Sequence, residues 1–180
     1  DGALPVAGST MQLTDLSNTF LALQGAFDEA AGSRSEKIQA ARDYYYRGPL
    51  AEQIVAFSDQ YAGYFTIEDF ANFSAEILSP ISIDYRDVTV CQNPPNSQGI
   101  AMLLALNTLN GYDFTGLGPT SADTIHLQVE AIKLAFADRY AYVGDPAFVD
   151  VPVDALLSEE HAAEQRARID PGSAMVWPIS

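Results

Sequence analysis

Apolar residues recur at three- and four-residue steps along most of this chain, and at steps of two in only one stretch. Leu13, Leu16, Phe20, Leu23 and Phe27 follow the spacing that lines one face of a helix. Gly32-Ser33 ends that unit, after an entering loop over residues 1–12 broken by Pro5 and Gly8. A second helix is predicted from about Glu36 to Tyr46, carrying the triplet Tyr44-Tyr45-Tyr46, and Arg47-Gly48-Pro49 stops it. Leu50, Ile54, Val55 and Phe57 predict a third, ending near Tyr61-Ala62-Gly63. Thr66-Ile67-Glu68-Asp69 reads as a capping box with Asp in place of Glu or Gln, opening a short helix to about Phe73.

The period then changes. Ile81, Ile83 and Tyr85 alternate with polar residues, and Val88 and Val90 flank Thr89. This predicts a pair of strands meeting at Arg86-Asp87, or one strand kinked there. Next comes Asn93-Pro94-Pro95-Asn96-Ser97-Gln98-Gly99, feeding the apolar run Ile100 to Leu106. The prolines pin φ and extend the residue before them, so a stiff polar elbow enters a helix over residues 98–109. Asn96 or Ser97 is placed to cap that helix. Its N-terminal donors favour anions and carboxylates. Asn96, Ser97, Gln98 and Gly99 are therefore the candidate substrate-pocket residues, beside the plainer reading of a strand-to-helix turn. Gly111 is predicted as the C′ residue of this helix.

Gly116, Gly118 and Pro119 make a loop, after which Ser121 is expected to cap the longest helix. Along it Ile125, Val129, Ile132, Phe136 and Tyr140 form one continuous stripe, which predicts the buried face. Asp138-Arg139 near its end reads as an ion-pairing site, with Arg139 complementing the helix dipole. Gly144-Asp145-Pro146 turns the chain, Ser158-Glu159-Glu160 opens a last helix toward Ile169, and an irregular tail runs over residues 171–180. Residues 1–170 are expected to act as one region and 171–180 as its tail. There is no internal repeat and no low-complexity linker.

Half the residues are apolar, enough for a globular core at this length. No apolar run approaches the ~18 residues of a membrane span, and Asp1-Gly2 does not open a signal peptide. The formal charge is −15, with Lys37 and Lys133 the only lysines; such a surface repels nucleic acid and anionic membranes. Cys91 is a single cysteine, read from its apolar run beside Val88 and Val90 as a small core residue. His126 and His161 stand alone on helical stretches, and neither they nor Cys91 shows zinc-ligand spacing.

No self-sufficient catalytic set is visible. Ser97 is not centred in a GxSxG elbow, neither phosphate-cradling glycine pattern is present, and neither histidine has an evident orienting partner. A paired-carboxylate hydrolase would need two carboxylates with divergent pKa values in one cleft, and no pair stands out.

Longer phrases carry more. They are Tyr46-Arg47-Gly48-Pro49-Leu50-Ala51, Gly63-Tyr64-Phe65-Thr66-Ile67-Glu68-Asp69-Phe70, Pro80 leading to Asp84-Tyr85-Arg86, and Pro94 to Gly99. Leu106-Asn107, Phe136-Ala137-Asp138-Arg139, and Gly144 to Val149 with Val151-Pro152 complete the series. In this order, from about Thr14 to Ile169, they resemble the gamma-glutamyltransferase (gamma-glutamyltranspeptidase) family of N-terminal nucleophile hydrolases.

The resemblance implies an α+β fold. A mostly helical chain with a short strand pair would contribute to a four-layer αββα sandwich, as the C-terminal part of a large subunit. It implies a precursor that cuts itself in two, the new N-terminal threonine of the small subunit attacking a gamma-glutamyl or related amide. The acyl-enzyme then passes to water or an acceptor amine, without a metal or organic cofactor. The partners implied are that small subunit and the front half of the large subunit, to which no segment here corresponds. No catalytic residue is carried over to this chain, and Ser180 is expected near the processing point. The common elbow of the transpeptidases has three prolines, two serines and two glycines. The elbow here is more similar to the general amidohydrolase and acylase branch. Family members are often exported, which favours a periplasmic or extracellular location. The alternative reading is a non-catalytic, helix-rich interaction module.

Overall fold

A computed structural model describes residues 4–177. The chain divides into two compact units, Asp1–Glu76 and Ile77–Ser180.

The first unit holds helices α1 (Thr14–Glu29), α2 (Arg34–Tyr46), α3 (Pro49–Gln60) and α4 (Ile67–Ala71). Ser33 caps α2 in a capping box with Glu36, and Thr66 caps α4 in the same way with Asp69. The Thr66 N–H donates to Asp69 Oδ2 at 2.8 Å. That bond holds the Asp69 carboxyl below its ordinary range. Helix α3 ends in a Schellman motif: Gly63 N donates to the Ser58 carbonyl at 2.7 Å and Ala62 N to that of Asp59. The left-handed position is taken by Ala62. Gly63 is needed for another reason, since a Cβ there would overlap Ser58 Oγ. Tyr46 stacks on Phe73 at 5.2 Å, while Arg42 and Arg47 donate to the Phe73 and Ala71 carbonyls. The α1 stripe is only partly covered: Leu13, Leu16 and Phe20 are exposed.

The second unit contains β1 (Ile81–Tyr85), β2 (Val88–Gln92), α5 (Gly99–Asn110), α6 (Ala122–Tyr142), α7 (Val153–Leu156) and α8 (Glu159–Arg168). The strands form an antiparallel hairpin with Tyr85 opposite Val88, so the two-strand alternative holds and the kinked single strand does not. Arg86 occupies the turn at φ 55°. Its N–H donates to Asn110 Oδ1, and its guanidinium lies over Tyr85 and Phe114. Among the described residues the chain is thus mostly helical with one short strand pair, as expected.

Helix α5 is the centre of this unit. Ile100, Leu103, Leu104 and Leu109 are buried along it, and they build the core with Ala131, Leu134 and Ala135 of α6, Leu156 of α7 and Ile169 beyond α8. Three expectations do not hold in this unit. The stripe Ile125, Val129, Ile132 and Tyr140 is exposed, with Ile132 still 49% accessible, and Phe136 is half-buried. The buried face of α6 is instead Thr124, Glu130, Ala131, Leu134, Ala135 and Asp138. Alanines at 131 and 135 let α5 approach closely, and polar residues on that face find partners. Cys91 is exposed rather than core. It pairs with Ser82 across the hairpin, on the face opposite Ile83 and Val90, because successive strand residues point to opposite sides. Gly111 is the C-cap of α5 at φ −81°, so no left-handed turn requires it. The constraint is space, since a Cβ would overlap the Arg166 guanidinium.

Candidate functional site

The elbow between β2 and α5 is where sequence placed the pocket. The Ser97 N–H donates to the Pro94 carbonyl at 3.0 Å, closing a turn. Ser97 Oγ donates back to the same carbonyl at 3.0 Å and accepts from Gly99 N at 3.3 Å. The serine therefore occupies one of the first free donors of α5 and is turned inward, with no histidine in its hydrogen bonds. The N-cap itself is Gln98, without a side-chain bond, and Asn96 does not cap. A Cβ on Gly99 would lie 2.8 Å from Gln92, so glycine lets the helix start directly on the strand.

The four candidates do not converge on one cleft. Asn96 is exposed, Ser97 is folded back, Gly99 is pressed on β2, and Gln98 reaches the rim of an open depression of about 480 Å³. Met102, Leu106, Ile132 and Phe136 line that depression. It is the unpartnered apolar side of α5 and α6, with Met102, Ile125, Val129 and Ile132 all exposed.

Two polar clusters escaped the sequence reading. Asp138 is buried, and its Oδ2 sits 2.7 Å from His161 Nε2, so His161 is partnered rather than isolated. Gln165 donates to the same carboxylate from one turn further along α8. Arg139, expected to pair with charge, instead lies 5.1 Å over Tyr140 and 6.0 Å over Phe136. The second cluster is Glu130, only 1% exposed. Its Oε1 accepts from Lys133 Nζ at 2.7 Å and its Oε2 from Met175 N at 2.9 Å. Lys133 Nζ also donates to the Met175 carbonyl at 2.7 Å. His126 Nε2 lies 2.8 Å from the Asp170 carbonyl. A signal for both clusters was present, since charged residues shared one helical face with the small residues Ala131 and Ala135.

Burial pushes the Glu130 carboxyl up, but bonds from Lys133 and Met175, with the charges of Lys133 and His126, outweigh it and hold the group below its ordinary range. A folded value below the unfolded one gives stability that is present above the unfolded value and lost as pH falls through the folded one. Glu130→Gln is therefore expected to flatten the acid limb of stability below the ordinary carboxyl value of 4.5. Urea midpoints at stepped pH check this; parallel acid limbs in both proteins would remove the assignment.

Among the described residues no helix is long and apolar enough to cross a membrane, and no group of three or more His, Cys, Asp or Glu is placed to hold a metal.

Comparison with known proteins agrees with this architecture. The family model described as gamma-glutamyltranspeptidase matches residues 1–179. The glutathione hydrolase-like YwrD proenzyme of Bacillus subtilis (strain 168) is 42% identical over 136 residues, covering 76% of this chain and 26% of that protein. Among solved structures, cephalosporin acylase from Bacillus halodurans is 45% identical with a TM-score of 0.67, covering 76% of this chain and 25% of the other. The gamma-glutamyltranspeptidase of Helicobacter pylori is 28% identical with a TM-score of 0.74, covering 90% of this chain and 43% of the other. The chain spans about a quarter of the length of the curated relatives it matches. It belongs to the gamma-glutamyltranspeptidase family, covering the C-terminal part of the large subunit.

Proposed function

We propose that this chain is the large-subunit portion of an autoprocessed amidohydrolase, and that the nucleophile is the N-terminal threonine of a partner chain. The substrate class is a gamma-glutamyl or related amide, hydrolysed or transferred through an acyl-enzyme. The observation that carries this reading is the family match together with the uncovered apolar side of α5 and α6. A face of this kind marks a surface that another part of a protein covers, and it speaks against a module that works alone. Of the elbow residues, Asn96 and Gln98 are the ones we assign to the pocket. Their side chains face outward while Ser97 and Gly99 are committed to the turn. The small subunit and the front of the large subunit complete the site, and residues 178–180, where the processing point was expected, lie outside the described residues.

The test uses the complete proenzyme beside residues 1–180 alone. Intact mass spectrometry and N-terminal sequencing of the complete protein should give a second chain beginning with threonine, and it should hydrolyse a chromogenic gamma-glutamyl anilide. Residues 1–180 should show no turnover above the uncatalysed rate. Full turnover by the short chain would overturn the proposal.

A further inference from the structure

Residues 169–177, which follow α8, have no regular structure, yet they are gripped at an unusual level of detail. Helix α6 presents His126, Glu130 and Lys133 at i, i+4 and i+7, which places them along one side. His126 meets the Asp170 carbonyl. Glu130 and Lys133 together take both backbone polar groups of Met175, the N–H by carboxylate and the carbonyl by ammonium. The Met175 side chain packs on the cluster of Leu109, Ala131, Leu134 and Ile169. Trp177 then lies 6.2 Å from Tyr140, so the segment runs along α6 toward its C-terminal end.

A buried ion pair is a poor choice for stability alone. Desolvation offsets its attraction, and apolar residues of similar size often do as well. What such a pair supplies is register. The N–H and carbonyl of Met175 face both charges while its side chain packs on Leu109, Ala131, Leu134 and Ile169. A slip by one residue would therefore empty that packing site and turn the backbone donor away from a carboxylate that is 1% exposed.

Resting on the autoprocessing reading above, we propose that Glu130 and Lys133 are positioning residues for maturation, setting the register of the segment that leads into the processed bond downstream of Met175. The net step breaks one peptide C–N bond and consumes one water, giving a carboxylate on the upstream chain and an amine on the downstream one. Such a reaction needs its atoms within about 3–3.5 Å. A one-residue slip moves an extended chain by about 3.3 Å, enough to take the bond out of reach.

The experiment follows conversion of the complete proenzyme into two chains by intact mass, with melting temperature measured in parallel. One glycine inserted between Met175 and Val176 leaves the clamp intact and shifts everything after it. Val176→Gly places the same residue without changing the length. The insertion is expected to slow maturation at least tenfold with the melting temperature unchanged, while Val176→Gly matures normally. The double variant Glu130→Leu/Lys133→Met, which removes the clamp without stranding a charge, should slow maturation likewise. Normal maturation of the inserted protein overturns the proposal, whether or not the double variant folds. A parent protein that never converts overturns the autoprocessing reading itself, and this inference falls with it.

Discussion

Leu134→Ala is expected to destabilise the chain by roughly 2–5 kcal/mol, the cost of a large-to-small change at a packed site. Leu134 is fully buried between α5 and Ile169. The cavity would open where alanines on α6 already hold the helices close, leaving little slack for collapse. Ile132, two residues earlier on the same helix, is 49% exposed. Its truncation is expected to cost about 1 kcal/mol or less in residues 1–180, since only half its surface leaves water. Urea unfolding followed by circular dichroism checks the pair. Equal losses would mean that α6 buries its apolar stripe after all. In the complete enzyme the proposed covering surface should make Ile132→Ala more costly than in the short chain, while the Leu134→Ala loss should stay the same.

That contrast shows which parts of the fold were legible. Caps and breakers are local, so Thr66 with Asp69, Ser121 with Thr124 and the turn at Arg86 follow from neighbours in sequence. Burial is not local. The stripe through Ile125, Val129 and Ile132 has helical spacing because an apolar face exists, but periodicity does not say which face this chain covers and which it leaves for another. Helix α6 has two such faces. The one used here mixes alanines with Glu130 and Asp138, so a scan for large apolar residues ranks it second. The same limit applies to Cys91: its apolar run suggested core, yet strand alternation opposes it to Val90 and the hairpin register opposes it to Ile83. For the elbow, the turn and the glycine were readable, whereas the inward rotation of Ser97 depends on the Pro94 carbonyl. The Met175 clamp joins residues more than forty positions apart and leaves no spacing signature.

Asp138→Ala is expected to be the second large loss, about 2–3 kcal/mol, because a buried charged acceptor is removed and its donors are left without it. Asp138 faces His161 at 2.7 Å and Gln165 at 3.3 Å, and Gln165 is itself buried, so water does not readily replace the carboxylate. The bond joins the last turns of α6 to the first turns of α8, and α8 in turn sets Arg166 against the Asn107 carbonyl of α5. Losing Asp138 should therefore loosen α8 as a unit rather than fray one end. His161→Ala alone should cost less, since Gln165 still meets the carboxylate. A double-mutant cycle isolates the pair: coupling of about 1–2 kcal/mol is expected for side chains in direct contact. Additive losses, within about 0.3–0.5 kcal/mol, would mean that Asp138 acts through Gln165 alone. Hydrogen exchange at α8 amides should rise in Asp138→Ala while that of α5 changes little. Protection lost equally across both helices would mean that Asp138 supports the whole unit rather than the α6–α8 contact.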